Sequence, residues 1–400
     1  MNREMKNNQS KNAKIIDILV DSLYEELVTP EEQKFLDLVF SKNPTQEALD
    51  TLLETWDIET TAGARQALLL SYLMKAHPEL KFNDYTAPRL RGLLNFHRHK
   101  NIRTLSWFAK AGRALNREGI VPMIFKGAAI KALRPDLSRI MADVDILVPQ
   151  EILERTAAIT EEVGFKFARY IQAGKTVDIK GERHAFDMVT EDGHGEIDIH
   201  RYILTYSWAR QTGLKSAPEF NKVLFERAQK TKAFGVEVLM PSYEDLAFIA
   251  LNSLVRNIVS KESLRGILFT LFDLQYLTSK ENFDWSIVFG NAKITDSEAS
   301  IKIGAEFVER LAPGLLPAQL REGLPYVGHI KDEYNRIVFE GMHFSQMRIE
   351  SRALKLKEVW RRPSLWAKYL SIKPKYLRLK SIRNKPEQVE AYLRKEYAYK

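Results

Sequence analysis

Residues 139–150, RIMADVDILVPQ, combine the apolar content of a buried strand with two aspartates, Asp143 and Asp145. Because side chains alternate between the two faces of a strand, both carboxylates lie on one face, with their Cβ atoms about 6 to 7 Å apart. Two like charges at this distance are unfavourable in a partly desolvated place. The segment therefore predicts a buried strand whose charged face binds something positive.

The segments on either side of this strand predict a mixed α/β unit of roughly 90 residues. VPMIF (121–125) has the character of a short apolar strand, and KGAAIKAL (126–133) that of a turn into a helix. RHAFDMV (183–189) and EIDIHRYI (196–203) alternate in polarity as strands do. Outside this unit, apolar residues recur at the three- and four-residue spacing that is typical of helices.

We therefore predict the α+β class, with a small mixed-sheet core embedded between helical N-terminal and C-terminal regions. The expected organisation is a disordered polar start at 1–12, a helical region at 13–118, the mixed-sheet core at 119–210, a helical C-terminal domain at 211–360 and a basic tail at 361–400.

Composition limits the class of protein. The chain has 400 residues, of which 45% are hydrophobic and 28% charged, as in ordinary soluble proteins of two or three domains. It has no cysteine, which excludes disulfides, cysteine zinc sites and thiol nucleophiles and favours a reducing compartment. Neither a secretory signal nor an uncharged apolar run of membrane-spanning length is evident. We expect a cytoplasmic protein without a transmembrane segment.

Positive charge is concentrated near the end of the chain. The net charge is +8, yet residues 351–400 alone hold 15 Lys/Arg against 4 Asp/Glu. Within 361–385 there are nine Lys/Arg and no acid, interleaved with Trp366, Tyr369 and Tyr376. Such a segment attracts an anionic membrane surface or nucleic acid, and the alternative is a solvated tail without a partner. A peripheral membrane association is thus an alternative to a free cytoplasmic location.

Two further motifs carry chemistry. Lys126 and Gly127 lie where a strand turns into a helix, where glycine lets backbone amides approach a ligand and the helix start favours an anion. In EIDIH, Glu196, Asp198 and His200 share one face of a later strand. If that strand neighbours the first one, a third carboxylate joins Asp143 and Asp145. Three convergent carboxylates suit Mg²⁺, and paired ions of this kind support displacement at phosphorus.

These segments, in this order, resemble the uncharacterised nucleotidyltransferase family of the polymerase β superfamily over about residues 90–280. Members of that family show a strand ending in Lys-Gly, an arginine shortly before Asp-x-Asp, a histidine before the third strand and an acidic-x-His ending on that strand. The matching positions are Lys126, Gly127, Arg139, Asp143, Asp145, His184, Asp198 and His200. VEVLMPSYEDLAFIALNSLVRN (236–257) resembles the helical segment that follows the catalytic unit.

The resemblance implies a role for each matching residue. Asp143, Asp145 and Asp198 would be catalytic and would hold two Mg²⁺ ions, with Mn²⁺ as an alternative. Lys126, Gly127 and Arg139 would bind the nucleoside triphosphate. Glu196 is the runner-up for Asp198, and His184 and His200 would lie on the acceptor side or behind the metal ligands. The chain departs from the superfamily in having Lys126-Gly127 in place of Gly-Ser, and Arg201 where relatives often have an aromatic residue.

The expected activity is transfer of a nucleoside monophosphate from an NTP such as ATP to a hydroxyl-type acceptor, with release of pyrophosphate. The acceptor could be a small molecule, a glycan or a protein. One alternative is a non-catalytic nucleotide-binding or interaction protein on the same fold. A glycosyltransferase that uses Asp-x-Asp is less favoured, because no alternating strands and helices precede residue 121 to form a nucleotide-sugar domain.

Overall fold

The computed structural model of the chain describes residues 27–58, 64–137, 139–167, 185–204, 216–259, 267–295 and 297–324, with positions 16, 17, 20, 21 and 23–25. All of them belong to one unit, Met1–Glu333. His184 and the basic segment 361–385 lie outside the described residues, so the roles predicted for them stay predictions. Within the described ranges, no helix combines the length and the apolarity needed to cross a membrane.

Helices form the part of the described chain that precedes the sheet. Thr29 begins the first of them with a capping box, because its side chain accepts from the Glu32 amide while the Glu32 carboxylate accepts from the Thr29 amide. Phe35 stacks on Trp56 with ring centroids 4.9 Å apart, which joins the first two helices. The helices are α1 (Pro30–Val39), α2 (Gln46–Thr55), α3 (Ala64–Ala76) and α4 (Thr86–Arg117).

The central element is a seven-stranded mixed sheet in the order β3-β4-β5-β2-β1-β7-β6. The pairs β2/β5 and β1/β7 are parallel and the other neighbouring pairs are antiparallel. This mixed sheet between helices confirms the predicted α+β class. The strands are β1 (Met123–Ile124), β2 (Val144–Leu147), β3 (Phe165–Phe167), β4 (Ala185–Thr190), β5 (Glu196–His200), β6 (Gln229–Ala233) and β7 (Val236–Met240).

In the part of the chain that the structure describes, three helices and one 3₁₀ turn lie between the strands: α5 (Lys126–Leu133), the 3₁₀ turn Gln150–Ile152, α6 (Leu153–Glu162) and α7 (Ser216–Arg227). The long helix α4 packs against the sheet. A Cβ added at Gly112 would lie 2.6 Å from Val236 Cγ1, so glycine lets this helix approach β7 closely. Asn101 of α4 donates to the Arg139 carbonyl at 2.6 Å and thereby supports the segment that leads into β2.

Strands β6 and β7 lie within the stretch 211–360, for which the sequence predicted a helical C-terminal domain. They form a hairpin whose turn residues, Phe234 and Gly235, both have positive φ. Four of the five β6 residues are exposed, since β6 is the edge of the sheet. An exposed edge strand such as QKTKA lacks the apolar alternation on which sequence prediction relies. The domain boundary at 210/211 itself stays a prediction.

Helices follow the sheet as well: α8 (Tyr243–Val259), α9 (Leu268–Thr278), α10 (Trp285–Ile294), α11 (Glu298–Leu311) and α12 (Ala318–Glu322). The buried carboxylate of Asp245, at the start of α8, accepts from Arg227 at 2.6 Å and from Asn291 at 2.8 Å. These bonds connect α7, α8 and α10. Helix α8 also packs on α5, which brings it to the side of the sheet where Lys126 lies.

Candidate active site

Aspartates from three adjacent strands form a row across the middle of the sheet. In the parallel pair β2/β5, Asp145 lies opposite Asp198. In the antiparallel pair β4/β5, Asp187 lies opposite the same Asp198. Residues directly opposite one another in neighbouring strands point to the same face of a sheet. The register therefore collects three carboxylates on one face, although they come from distant parts of the sequence.

Two overlapping groups of side chains lie close enough to hold metal ions. In the first, ligand atoms of Asp145, Asp198 and His200 are all within 4.8 Å of one another. In the second, carboxylate oxygens of Asp143, Glu196 and Asp198 satisfy the same limit. Asp198 belongs to both groups. The structure thus brings together the three aspartates predicted as catalytic, and it also places Glu196 and His200 beside them.

Burial and mutual repulsion raise the pKa of two of these carboxyls. Burial, followed by the charge of Asp145, raises the pKa of Asp143 to about 6. Burial, followed by the charges of Asp143 and Asp145, raises the pKa of Asp198 to about 8. Oδ1 of Asp198 is buried and accepts no hydrogen bond from any residue that the structure describes. Such a cluster is costly without a cation, and its oxygen-rich donor set is the kind that Mg²⁺ prefers.

Asp145 differs from its two neighbours because it has cationic and hydrogen-bonding partners. It is only 4% exposed. Its Oδ1 accepts from the Lys126 ammonium and lies 2.9 Å from His200 Nε2. Burial would raise the pKa of Asp145, but the Lys126 charge and the His200 hydrogen bond outweigh burial and hold that pKa well below its usual range. Asp145 therefore stays ionised and is the fixed negative charge of the site.

His200 is buried at the end of β5, between two oxygen acceptors. Its Nε2 faces Asp145, and its Nδ1 lies 3.2 Å from the Tyr202 carbonyl oxygen. Its ring also lies edge-on against Phe125, with centroids 4.8 Å apart. Burial, followed by the Lys126 charge, lowers the pKa of His200 and thus favours the neutral ring, whose single N–H donates to one of these two oxygens. These contacts give His200 a place behind Asp145, and its predicted acceptor-side role remains a prediction.

Lys126, and not Gly127, has the unusual backbone conformation at the turn from β1 into α5. Lys126 has φ 49°, in the left-handed region that side chains other than glycine seldom adopt. Gly127 is the second residue of α5, and a Cβ added there would meet only ordinary contacts, the nearest at 3.6 Å from Met141. Lys126, the residue with this strained backbone, is also the one whose ammonium contacts Asp145. The phosphate contacts predicted for Gly127 stay a prediction.

Arg139 lies next to Gly127 and is bound to the helical region behind the sheet. Its Nη1 donates to Asp273 on α9 at 2.5 Å, and its guanidinium lies 5.5 Å from the centroid of Phe269. Both side chains of the ion pair are largely buried, with 12% of Arg139 and 8% of Asp273 exposed. This pair ties the segment before β2 to α9. The phosphate contact predicted for Arg139 stays a prediction.

Sequence reasoning did not find two of these carboxylates. Asp187 is the single acid of the alternating segment RHAFDMV, and that position was a usable signal that a further carboxylate faces the site. Asp273 had no usable signal, because it lies in an apolar helical segment 134 residues after its partner Arg139. A pairing over this distance depends on how α9 packs on the sheet.

Among the comparisons with known proteins, the one with family models gives a match. The model of the family described as uncharacterised nucleotidyltransferase matches residues 59–313, a longer stretch than the resemblance at 90–280. No curated protein and no solved structure gives a significant match. The matched stretch covers more than half of the chain and contains the whole carboxylate site. The protein therefore belongs to the uncharacterised nucleotidyltransferase family.

Proposed function

We propose that the protein is a Mg²⁺-dependent nucleotidyltransferase that moves a nucleoside monophosphate from an NTP to a hydroxyl-type acceptor and releases pyrophosphate. The observation that carries the proposal is the convergence of Asp143, Asp145 and Asp198, with the pKa of two of them raised by burial and by one another. Family membership supports nucleotidyl transfer in general. The base of the NTP and the acceptor are open within this proposal.

Asp143, Asp145 and Asp198 would hold two Mg²⁺ ions, or Mn²⁺ as an alternative, with Glu196 as the runner-up ligand for Asp198. The bound ions would neutralise the triphosphate and favour the ionised acceptor hydroxyl. Lys126 keeps Asp145 ionised, so this carboxylate is ready to bind a cation over the whole neutral pH range. His200 orients the same carboxylate through its Nε2.

The transfer step needs an attacking oxygen and a place for its proton. The acceptor oxygen attacks the α-phosphorus of the NTP and forms the new O–P bond, while the bond to the bridging oxygen of the β-phosphate breaks and pyrophosphate leaves. With the metal ions bound, Asp198 would be ionised, and it is the proposed acceptor of the hydroxyl proton on the basis of the family resemblance. Lys126, Gly127 and Arg139 are the proposed contacts to the phosphates, on the basis of the family resemblance.

The two alternative functions that the sequence left open differ from this proposal in what they require or would do. A glycosyltransferase that uses Asp-x-Asp does not need a carboxylate from another strand, whereas here Asp198 lies within 4.8 Å of Asp143. That contact favours the nucleotidyltransferase. A non-catalytic nucleotide-binding protein on the same fold would bind NTP and transfer nothing. His184 lies outside the described residues, and its acceptor-side role is part of the proposal.

The test of the proposal is transfer of label from each NTP. The chain is incubated with Mg²⁺ or Mn²⁺, cell extract and each of the four α-labelled NTPs, and label is followed into small molecules, glycans, protein and nucleic acid. We expect one NTP to transfer label and the double variant Asp143→Asn with Asp145→Asn to transfer none. Asp84→Asn, in the exposed turn before α4, is the matched control and should retain activity. Metal-dependent NTP binding without any transfer would favour the non-catalytic alternative.

For the basic segment 361–385, which lies outside the described residues, we propose contact with an anionic membrane surface, with nucleic acid as the alternative. Its nine Lys/Arg and three aromatic residues support this, and a cytoplasmic protein held at the membrane periphery would be the consequence. The test compares the full chain with a variant in which these nine residues are glutamine. We expect the glutamine variant to lose binding to phosphatidylserine vesicles and to show no loss of binding to RNA.

A further inference from the structure

A pocket opens between Lys126 and the side of α8, next to the carboxylate site. Its apolar part consists of Ile203, Leu204 and Ile249, and its polar part on α8 consists of Asn252, Ser253 and Arg256. Asn252 and Ser253 lie four and three positions before Arg256, and residues at these spacings project from one face of a helix. Helix α8 therefore presents an amide, a hydroxyl and a guanidinium together, facing the ammonium of Lys126 across an apolar surface.

Arg256 and Asn252 offer donors with few described partners, and Asn252 also carries a buried acceptor, Oδ1, without a hydrogen-bond partner among the described residues. Arg256 is exposed, and its Nε and Nη2 each lie 3.3 Å from Asn257 Oδ1, a long contact to a neutral group. The Asn252 amide nitrogen donates to the Phe248 carbonyl at 3.1 Å. Among the described residues, no acidic side chain lines the pocket. A guanidinium and an ammonium with no acid between them attract an anion.

The pocket shares the side chain of Lys126 with the site of the proposed reaction. Lys126 lines the pocket, and the same ammonium forms the ion pair with Asp145. A ligand in the pocket is thus one side chain away from the carboxylates that would hold the metal ions. From the carboxylate site to the pocket, the side-chain charges change from negative, at Asp143, Asp145 and Asp198, to positive, at Lys126 and Arg256. A nucleoside triphosphate with bound Mg²⁺ needs this sequence of charges.

We propose that this pocket binds the β- and γ-phosphates of the NTP, with Arg256 and Ser253 as direct donors and Lys126 between them and the metal site. The inference rests on the proposed function and deepens it, since it names the residues that would hold the pyrophosphate leaving group. Arg256 supplies a planar set of N–H donors suited to phosphate oxygens. The apolar surface of Ile203, Leu204 and Ile249 limits water around these bonds, which strengthens them.

The experiment measures binding of three probes in the presence of Mg²⁺: inorganic pyrophosphate, ATP and AMP. The variants are Arg256→Gln and Ser253→Ala, and Arg117→Gln is the matched control, as an exposed arginine in the last turn of α4. For Arg256→Gln we expect the affinity for pyrophosphate and for ATP to fall about 10- to 100-fold, the effect of one charge-assisted hydrogen bond. AMP affinity and the control should match wild type. Because Arg256 is exposed, its replacement should leave the fold intact, which thermal unfolding checks.

The outcomes separate this inference from the proposed function. Unchanged affinity of Arg256→Gln for pyrophosphate and ATP overturns the inference and leaves the transferase proposal standing. An equal loss for AMP also overturns it, because the pocket would then hold the sugar or the base. Failure of wild type to bind pyrophosphate or ATP overturns it as well. If wild type transfers no label but binds pyrophosphate through Arg256, the proposed function fails while the phosphate pocket stands.

Discussion

Neutralising Asp198 should stabilise the metal-free protein while removing its response to Mg²⁺. The perturbation is Asp198→Asn, which keeps the size of the side chain and removes its charge. Asp198 lies at the centre of the carboxylate row, beside Asp143, Asp145 and Asp187. Burial of the charge, followed by repulsion from these neighbours, raises the pKa of Asp198 to about 8 in the folded protein.

The direction of the stability change follows from whether the folded or the unfolded chain keeps the proton on Asp198. The folded protein keeps a proton on Asp198 up to about pH 8, whereas the unfolded chain releases it near the ordinary value of 3.8. A raised carboxyl pKa therefore makes folding less favourable as pH rises through this range. At 1.36 kcal/mol for each pKa unit, the cost at pH 7 is about 4 kcal/mol if the whole shift acts. Because part of the side chain reaches solvent, screening reduces the expected gain from Asp198→Asn to about 2 kcal/mol.

The assay is urea unfolding of wild type and Asp198→Asn at several pH values between 5 and 8. In EDTA, the variant should be the more stable chain, and its advantage should grow from pH 5 to pH 8. In Mg²⁺ at 100 times its dissociation constant, wild type should gain about 2.7 kcal/mol and the variant much less. Asp84→Asn serves as the control and should follow wild type in both buffers.

Two results would refute the reasoning behind Asp198→Asn. A variant that is less stable than wild type in EDTA at every pH would mean that the carboxylate is well paired in the folded protein. Equal stabilisation of both chains by Mg²⁺ would mean that Asp198 is no ligand. In either case the metal site proposed at this row of aspartates would have to be abandoned.

Three further sets of substitutions test the structure around the site, each by urea unfolding. Lys126→Gly should be about 1 kcal/mol more stable than Lys126→Ala, because only glycine adopts φ 49° without strain; equal stability would contradict this. Arg139→Met and Asp273→Leu should each lower the free energy of unfolding by about 3 kcal/mol, because each single change leaves one buried charge unpaired. The double variant should lose less than the sum of the two single losses, and an additive loss would argue against the pair. Gly112→Ala should lower the free energy of unfolding by about 1 to 3 kcal/mol, because its Cβ would lie 2.6 Å from Val236 Cγ1. Adding Val236→Ala should recover part of that loss. An unchanged stability of Gly112→Ala would refute the close packing.

The carboxylate site could be predicted in large part because its residues lie on short alternating strands. Alternation alone put Asp143 and Asp145 on one face of the first strand, and Glu196, Asp198 and His200 on one face of the later strand. The structure brings these two faces together through the parallel pairing of β2 with β5. Asp187 was missed because its place beside Asp198 depends on the antiparallel pairing of β4 with β5.

The turn after β1 has a backbone conformation that the sequence did not indicate. Gly127 was expected to let backbone amides approach a ligand, and the structure adds that Lys126 before it is the left-handed residue. Residue type indicates which conformations are cheap, whereas the surrounding contacts select the one that is adopted. At this turn the ion pair of Lys126 with Asp145 accompanies the strained conformation.

Local patterns in the chain thus sufficed for the fold class, for the positions of the strands around the site and for the side chains that point out of them. These properties depend on backbone geometry over a few residues, which repeats every two residues in a strand and every 3.6 in a helix. Other properties depend on contacts between distant segments: Asp145 opposite Asp198, Arg139 bound to Asp273, and α8 facing Lys126 across the pocket. They could not be derived from local periodicity, because hydrogen-bond register and helix packing are set by the whole core at once.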